Sequence, residues 1–174
     1  MFSIPLNQYR VPEWELRKQK ILDSIDLSTF KSSNNSPYTD YHYLANTDTR
    51  PSYYDSVIEA IAPALQDIQK DYPIPVTITK MWMQSASKGQ YHPPHTHGSV
   101  GLSGVLYLDF NKASHTATTF FAPYHNFITG DHIEFTPEVT EGDLLIFPSG
   151  IMHMQPVNDS YLTRKIISFN IAAP

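Results

Sequence analysis

The sequence predicts a mainly β fold, a sandwich or barrel of short strands preceded by helices. Beyond Tyr72 the chain contains six short β-rich runs within about a hundred residues. Gly, Pro, Asn or Asp fills many of the gaps between these runs, where a helix would be expected in an alternating βαβ protein. Before Tyr72, two stretches carry apolar residues at helical spacing. This order is typical of helices followed by a sandwich or barrel.

The two N-terminal helices are predicted from their apolar faces. The first covers Glu13 to Ile25, with charged residues on the opposite side. The second covers Ser52 to Lys70 and begins with a capping-box-like pair, Ser52 and Asp55. Because proline lacks a backbone N–H, we expect a kink or break at Pro63.

The strands follow in the second half of the chain. Residues 31–51, rich in turn formers, are predicted to form a long surface loop between the helices. The six predicted strands cover residues 76–84, 102–110, 118–124, 132–139, 143–149 and 164–171.

Length and composition limit the classes of protein. A chain of 174 residues is most simply one domain, here with a helical support and loop over 1–72 and a β core over 73–174. The absence of cysteine excludes disulfides, thiolate zinc sites and iron–sulfur clusters. The net charge of −5 argues against a nucleic-acid surface. No signal peptide or membrane span is recognisable, which predicts a soluble, cytoplasmic protein and leaves its oligomeric state open.

A histidine cluster is the main candidate for chemistry. The stretch QYHPPHTHGS, residues 90–99, contains His95 and His97 two positions apart. On an extended backbone, which Pro93 and Pro94 favour, both imidazoles project to one side. His153 follows an apolar strand and a Pro-Ser-Gly turn, where a barrel could return a third ligand to the same point. Three imidazoles with open positions suit catalysis by iron, zinc, copper or nickel.

The spacing around these histidines resembles the cupin superfamily. Gly89, five intervening residues and then His95-Thr-His97 resemble the first cupin motif, although the glutamate expected further on is missing. The stretch from Gly142 to His153 resembles the second motif closely.

A larger region, residues 76–171, resembles the iron(II) and 2-oxoglutarate-dependent oxygenases, especially their prolyl-hydroxylase-like branch. The resemblance rests on Gly89, His95, the stretches GVLYLDF and GDLLIFPSGIMH, and Arg164 eleven positions past His153. It implies a double-stranded β-helix, a jelly-roll or cupin-like barrel, with the N-terminal helices packed on one side.

The same resemblance implies a function. Fe(II) would bind His95, His97 and His153, and the co-substrate 2-oxoglutarate would bind Arg164, with help from Tyr107 and Ser168. The expected reaction hydroxylates an unidentified small-molecule or peptidyl substrate with dioxygen and releases succinate and CO2. No side chain beyond the metal site is expected to act as a catalytic base.

Arg164 also has a physical argument of its own. Strand alternation puts it on one face with Ile166 and Ser168, and an inward-facing guanidinium needs an anion. The competing expectation is an internal salt bridge to a nearby carboxylate, with the candidates Asp109, Glu141 and Asp143.

One departure from the family pattern keeps other functions open. His97 stands where the family has an aspartate, so the metal centre would be one unit more positive. A cupin-like metal dioxygenase or a zinc enzyme that does not use 2-oxoglutarate is therefore an alternative, as is a catalytically silent jelly-roll binding module. Residues 111–135 are the expected mouth of the cavity, and Trp82 is expected to lie in the core.

Overall fold

A computed structural model describes residues 4–32, 35–72 and 76–172, and shows two antiparallel sheets with helices against one of them. The prediction of a mainly β fold with N-terminal helices is confirmed. The helices are α1 (Trp14–Asp23), α2 (Tyr41–Thr47), α3 (Tyr54–Asp71) and a short 3-10 helix (Leu27–Thr29). The strands are β1 (Asn7–Arg10), β2 (Tyr38–Thr39), β3 (Thr77–Ala86), β4 (His92–His95), β5 (Leu102–Asp109), β6 (Thr119–His125), β7 (His132–Phe135), β8 (Asp143–Pro148), β9 (His153–Gln155) and β10 (Arg164–Ala172).

The larger sheet has the order β1-β8-β5-β10-β3-β2, and the smaller has the order β4-β9-β6-β7. Two strands of the larger sheet come from the N-terminal part of the chain, since β1 pairs with β8 and β2 pairs with β3. Residues 1–72 therefore supply both helices and sheet edges. No helix within the described ranges combines the length and the apolar character that crossing a membrane requires.

The central strands of the larger sheet bury both of their faces. On β5, Leu106 and Leu108 pack toward the helices, whereas Val105 and Tyr107 pack toward the smaller sheet. Strand β10 alternates in the same way, with Ile167 in the helix-side core. Each strand thus separates two cores, which is why these runs are apolar on both sides.

The six predicted strands are all present, and four further strands were not predicted. Strands β1, β2, β4 and β9 have at most four residues each, and β4 contains two prolines. Such short segments become strands through pairing with a neighbour, and local propensity gives little sign of them. The predicted loop over 31–51 is wrong in part, because β2 and α2 lie within it.

Of the kink or break predicted at Pro63, the break is wrong, because α3 runs unbroken through this exposed position. A proline at 63 leaves the carbonyl of Glu59 without its usual helical donor. Arg17 of α1 supplies the missing hydrogen bond, with Nη1 donating to the Glu59 carbonyl at 3.0 Å. The predicted capping box is absent as well, since the Ser52 hydroxyl accepts a hydrogen bond from the backbone of Asp26.

The close approach of Gly104 on β5 to Phe169 on β10 gives a test of this packing. The two residues are cross-strand partners, and a Cβ atom at 104 would lie 2.2 Å from the buried Phe169 ring. We expect Gly104→Ala to lower the free energy of unfolding by about 1–3 kcal/mol through overpacking, measured by urea denaturation.

Gly150→Ala is the matched control, because its Cβ would meet no atom closer than 3.4 Å. Adding Phe169→Leu to Gly104→Ala should recover part of the loss. Equal effects of the two alanine substitutions would contradict the proposed packing.

Candidate metal centre

The histidines converge because two short strands pair. In the register of β4 with β9, His95 lies directly opposite His153. His97 follows β4, and its backbone N–H donates to the carbonyl of Ser149 at 2.9 Å, just before β9. The prolines of β4 hold the segment extended, which is compatible with this pairing at a sheet edge.

The three imidazoles surround one point. The Nε2 atoms of His95 and His97 are 3.2 Å apart, and one ligand atom from each of the three rings lies within 4.8 Å of the others. His153 is buried, while His95 and His97 are half-buried. In the part of the chain that the structure describes, this is the one group of three or more His, Cys, Asp or Glu side chains with such spacing.

Hydrogen bonds fix the tautomer of each ring. The Nδ1 atom of His95 lies 2.8 Å from the carbonyl of Pro93, and that of His153 lies 2.8 Å from the carbonyl of Ile151. Because a carbonyl can only accept, we assign the proton to Nδ1 in both rings. His97 Nδ1 lies 2.8 Å from Asn170 Oδ1 and 2.9 Å from Ser103 Oγ, and because the amide oxygen can only accept, Nδ1 is the donor in this ring too. All three Nε2 lone pairs therefore remain available.

Burial keeps the rings neutral. Loss of hydration lowers the pKa of His153 to about 3 and that of His97 to about 4, and it also lowers the pKa of His95. Neutral imidazole is the form that binds metals, so the three rings are in a ligating state at neutral pH.

This donor set fits a divalent metal ion. Two nitrogens on adjacent positions of one ion, each about 2.1 Å from it, lie about 3.0–3.4 Å apart, which includes the distance between His95 and His97. The two lone pairs repel each other at this distance, and a cation between them would remove that repulsion. The Nδ1–H groups bonded to carbonyl oxygens are the usual outer support of metal-bound histidines.

Arg164 is a buried cation whose hydrogen bonds go to neutral groups. The residue is 1% exposed, and its guanidinium donates to the backbone carbonyls of Thr116 and Pro156. The side-chain oxygen of Gln155 accepts from Nε at 3.1 Å and from Nη2 at 2.8 Å. Burial lowers the pKa of Arg164 to about 10, so it stays protonated at neutral pH. Within the described residues, no carboxylate forms an ion pair with it.

The carboxylates expected to pair with Arg164 bind other cations. Asp109 lies 2.9 Å from Lys165 Nζ and Glu141 lies 2.8 Å from Lys18 Nζ. Asp143 pairs with Arg10 at 3.2 Å. The internal salt bridge expected as an alternative is therefore not formed by these three carboxylates.

A small inner cavity of about 20 Å³ adjoins the three histidines, enough for one water molecule. Gln155 and Ser168 line it, together with Thr118. Tyr107 is fully buried, and its hydroxyl donates to Thr118 Oγ1 at 3.1 Å and accepts from the Thr118 backbone N–H. Ser168 thus lies at the cavity wall itself. Tyr107 and Arg164 lie behind it, bonded to the wall residues Thr118 and Gln155, respectively.

A larger outer cavity of about 380 Å³ shares His92, His95 and His97 with the inner one. Residues of the 36–42 segment cover it, and we call this segment its roof. None of residues 111–135 is among its lining, so the expected mouth at 111–135 is wrong for this cavity, although Thr118 lines the inner one. Trp82 is only 6% exposed but lines both cavities, so it is a site residue as well as a buried one. The lining residues are Ser36, Pro37, Thr39, Tyr41, His42, Lys80, Trp82, Gln84, His92, His95, Thr96, His97 and Asn170.

Asp40 holds this roof in place and was missed by the sequence analysis. Its carboxylate accepts from the backbone N–H of Met83 at 2.9 Å and from the Tyr53 hydroxyl at 2.7 Å. Alternation on β3, which puts Lys80, Trp82 and Gln84 on one face, was the available signal for the cavity wall.

Two antiparallel sheets that bring three imidazoles together, two of them on the paired strands β4 and β9, form an arrangement that could hold a metal ion. Residues 80–170, just over half of the chain, match a family described as "Putative 2OG-Fe(II) oxygenase". The chain belongs to this family of 2-oxoglutarate and Fe(II)-dependent oxygenases, and the resemblance inferred from its motifs is confirmed.

A relative with a curated description matches less of the chain. Germin-like protein 12-2 of Oryza sativa subsp. japonica is 35% identical over 81 residues, which are 44% of this chain. This chain spans 29% of the length of that relative.

Solved structures confirm the double-stranded β-helix. The non-heme alpha ketoglutarate dependent carbocyclase SnoK from nogalamycin biosynthesis is similar with a TM-score of 0.67 and 8% identity, over 95% of this chain and 80% of that one. A Pseudomonas putida prolyl-4-hydroxylase is similar with a TM-score of 0.59 and 12% identity, over 98% of this chain and 94% of that one. At such identities the similarity concerns the fold alone.

Metal binding to the three imidazoles can be measured directly. We expect Co(II) at a hundred times its Kd to stabilise the protein by about 2.7 kcal/mol, and His153→Ala to lose nearly all of that effect. Chemical denaturation with and without Co(II) measures both quantities. His125→Ala, which removes an exposed histidine of β6, is the control and should keep the full stabilisation.

The hydrogen bond from His97 to Asn170 predicts a smaller effect on the same metal. Asn170→Leu removes the nearer of the two oxygens that His97 Nδ1 contacts and leaves Ser103 Oγ at 2.9 Å, so we expect Co(II) affinity to fall about tenfold by calorimetry. Asn170→Asp keeps an acceptor and should bind nearly as the wild type does. An unchanged affinity in Asn170→Leu would show that the ring needs no such support.

Proposed function

We propose that this protein uses Fe(II) and 2-oxoglutarate to hydroxylate a small-molecule or peptidyl substrate. One observation carries the proposal: three neutral imidazoles converge beside a small cavity that Gln155 lines. Gln155 is hydrogen bonded to Arg164, a buried arginine that pairs with no carboxylate of the described residues. Family membership supports the cofactors. The substrate and the roles of the individual residues are part of the proposal.

His95, His97 and His153 would hold the iron, with Nδ1–H bonds keeping each ring in the ligating tautomer. When bound, iron and 2-oxoglutarate supply the oxidising chemistry, in which the co-substrate becomes succinate and CO2 and dioxygen provides the hydroxyl oxygen. The residues themselves orient the ligands and keep water away, so no protein base is required.

Arg164 would bind the distal carboxylate of 2-oxoglutarate. A guanidinium buried among carbonyl and amide oxygens has its hydrogen bonds satisfied but its charge uncompensated. The Gln155 amide oxygen now accepts from Nε and Nη2, the edge that binds a carboxylate bidentately. Gln155 would therefore move aside when the co-substrate enters, which also enlarges a cavity too small to hold it.

Tyr107 and Ser168 have supporting roles in this proposal. Ser168 is buried at the inner cavity wall, where its hydroxyl is available to a bound carboxylate. Tyr107 would act with Thr118, to which its hydroxyl is bonded in both directions.

Anaerobic reconstitution tests the function. Fe(II) followed by 2-oxoglutarate should produce a visible charge-transfer band, and admission of oxygen should then yield succinate.

His97, a neutral ligand in place of a carboxylate, favours one competing function, a cupin-like or zinc enzyme without 2-oxoglutarate. Metal binding without the band would establish that alternative, and absence of metal binding would establish a silent binding module.

Gln155→Glu tests the role of Arg164 without removing a buried cation. The new carboxylate would pair with the guanidinium and compete with 2-oxoglutarate at a high effective concentration. We expect at least tenfold weaker binding of 2-oxoglutarate, read from the visible band, with Co(II) affinity unchanged.

Gln84→Glu is the control for Gln155→Glu. It introduces the same negative charge on a residue that contacts Gln155 and His92, and its link to Arg164 runs through Gln155. Equal losses in both variants would indicate a general charge effect and would contradict a specific role of Arg164.

A further inference from the structure

The charge of the outer cavity is unusual for this protein. The chain has a formal net charge of −5, yet no carboxylate is among the described residues that line the outer cavity. Lys80 is the single Lys or Arg in that lining. A small acidic protein thus presents a locally cationic surface beside its metal ligands, which favours an anionic ligand.

Lys80 is available for such a ligand. Its side chain is exposed, and no carboxylate within the described ranges lies within the 4.0 Å of an ion pair. By contrast, Lys18, Lys20, Lys70 and Lys165 all form ion pairs. A lysine without a partner at the edge of a cavity retains its full capacity to bind an oxyanion.

The position of Lys80 on β3 sets its distance from the metal ligands. Lys80, Trp82 and Gln84 share one face, and only the last two reach the inner cavity. Two residues along a strand cover about 7 Å. A ligand held at Lys80 therefore extends over Trp82 toward His97, whose ring centroid is 5.3 Å from that of Trp82.

Aromatic rings form the wall between these two ends. Tyr41 packs edge-on against Trp82, with ring centroids 5.3 Å apart. The cavity volume of about 380 Å³ lies in the range of small-molecule sites, about 300–1,000 Å³. The adjoining cavity that shares Tyr41, Lys80 and Trp82 holds both Arg50 and Asp48, whose charges offset each other.

We propose that the substrate is a small organic anion, whose carboxylate or phosphate group binds Lys80 while its reacting part lies against Trp82 beside His97. This inference rests on the proposed function, since it assigns the substrate class of the same site. It makes Lys80 the specificity-determining residue, acting through its charge and leaving the metal ligands untouched.

Trp82 provides a reporter that does not depend on turnover. The chain has two tryptophans, and Trp14→Phe leaves Trp82 as the sole one. Zinc-loaded protein of this background, with 2-oxoglutarate present, is titrated with the matched pair 3-phenylpropanoate and 3-phenylpropanamide. A second arm uses benzyl phosphate, and fluorescence quenching gives each Kd.

The expected result is saturable quenching by at least one anion, at least tenfold tighter than by the neutral amide. Lys80→Met should abolish this preference, whereas Lys80→Arg should preserve it. Lys112→Met, an exposed lysine outside this cavity, is the matched control for the change in net charge. Preference for the carboxylate or for the phosphate identifies the oxyanion.

Three results would overturn the inference: no quenching by any probe, equal affinity for anion and amide, or a preference that survives Lys80→Met. Its failure differs from failure of the proposed function, which is read from the visible band with Fe(II) and 2-oxoglutarate. A protein that shows the band but no preference for anions is an oxygenase with another substrate class. An anion preference that depends on Lys80 supports the inference when the band also forms. The same preference without the band would overturn the assignment of the anion as an oxygenase substrate.

Discussion

The pairing of β4 with β9 is the constraint on which the site depends. Neither strand has more than four residues, so neither forms without its neighbours. Their register puts His95 opposite His153 and His92 opposite Gln155. One short ladder thus aligns two of the three imidazoles and also the amide that contacts Arg164. Metal binding would in turn hold the two strands together, since it ties ligands on both.

A second feature, the buried charge of Arg164, is connected to this pairing through Gln155 of β9. Gln155, at the end of β9, links the guanidinium to Gln84 at 3.2 Å, and Gln84 continues to His92 at 3.1 Å. This chain of neutral amides satisfies buried donors without neutralising the cation. A buried guanidinium that pairs with no carboxylate of the described residues is costly for stability, and this cost is the physical reason for proposing that an anion binds it.

The central barrel was predictable because its strands carry their own signal. Strands such as β5 and β8 are buried on both faces, so their sequences are apolar throughout and bounded by turn residues. Helices α1 and α3 were predictable from their apolar faces, whereas α2 was not predicted. The break expected at Pro63 is absent, and Arg17 from another helix bonds the carbonyl that the proline leaves free. The short strands and the roof over 36–42 depend on distant partners such as Met83, which no local pattern reveals.

The sequence by itself determined the chemistry of the site. Imidazoles at 95, 97 and 153, the absence of thiolates and the arginine at 164 are properties of residue type and spacing, and they predict a metal and an anion as the ligands. Only the tertiary structure decided which ring nitrogens face the centre, which carboxylates are already paired and where the outer cavity opens. These properties arise from contacts between residues far apart in the chain, because burial and hydrogen bonding depend on neighbours in space.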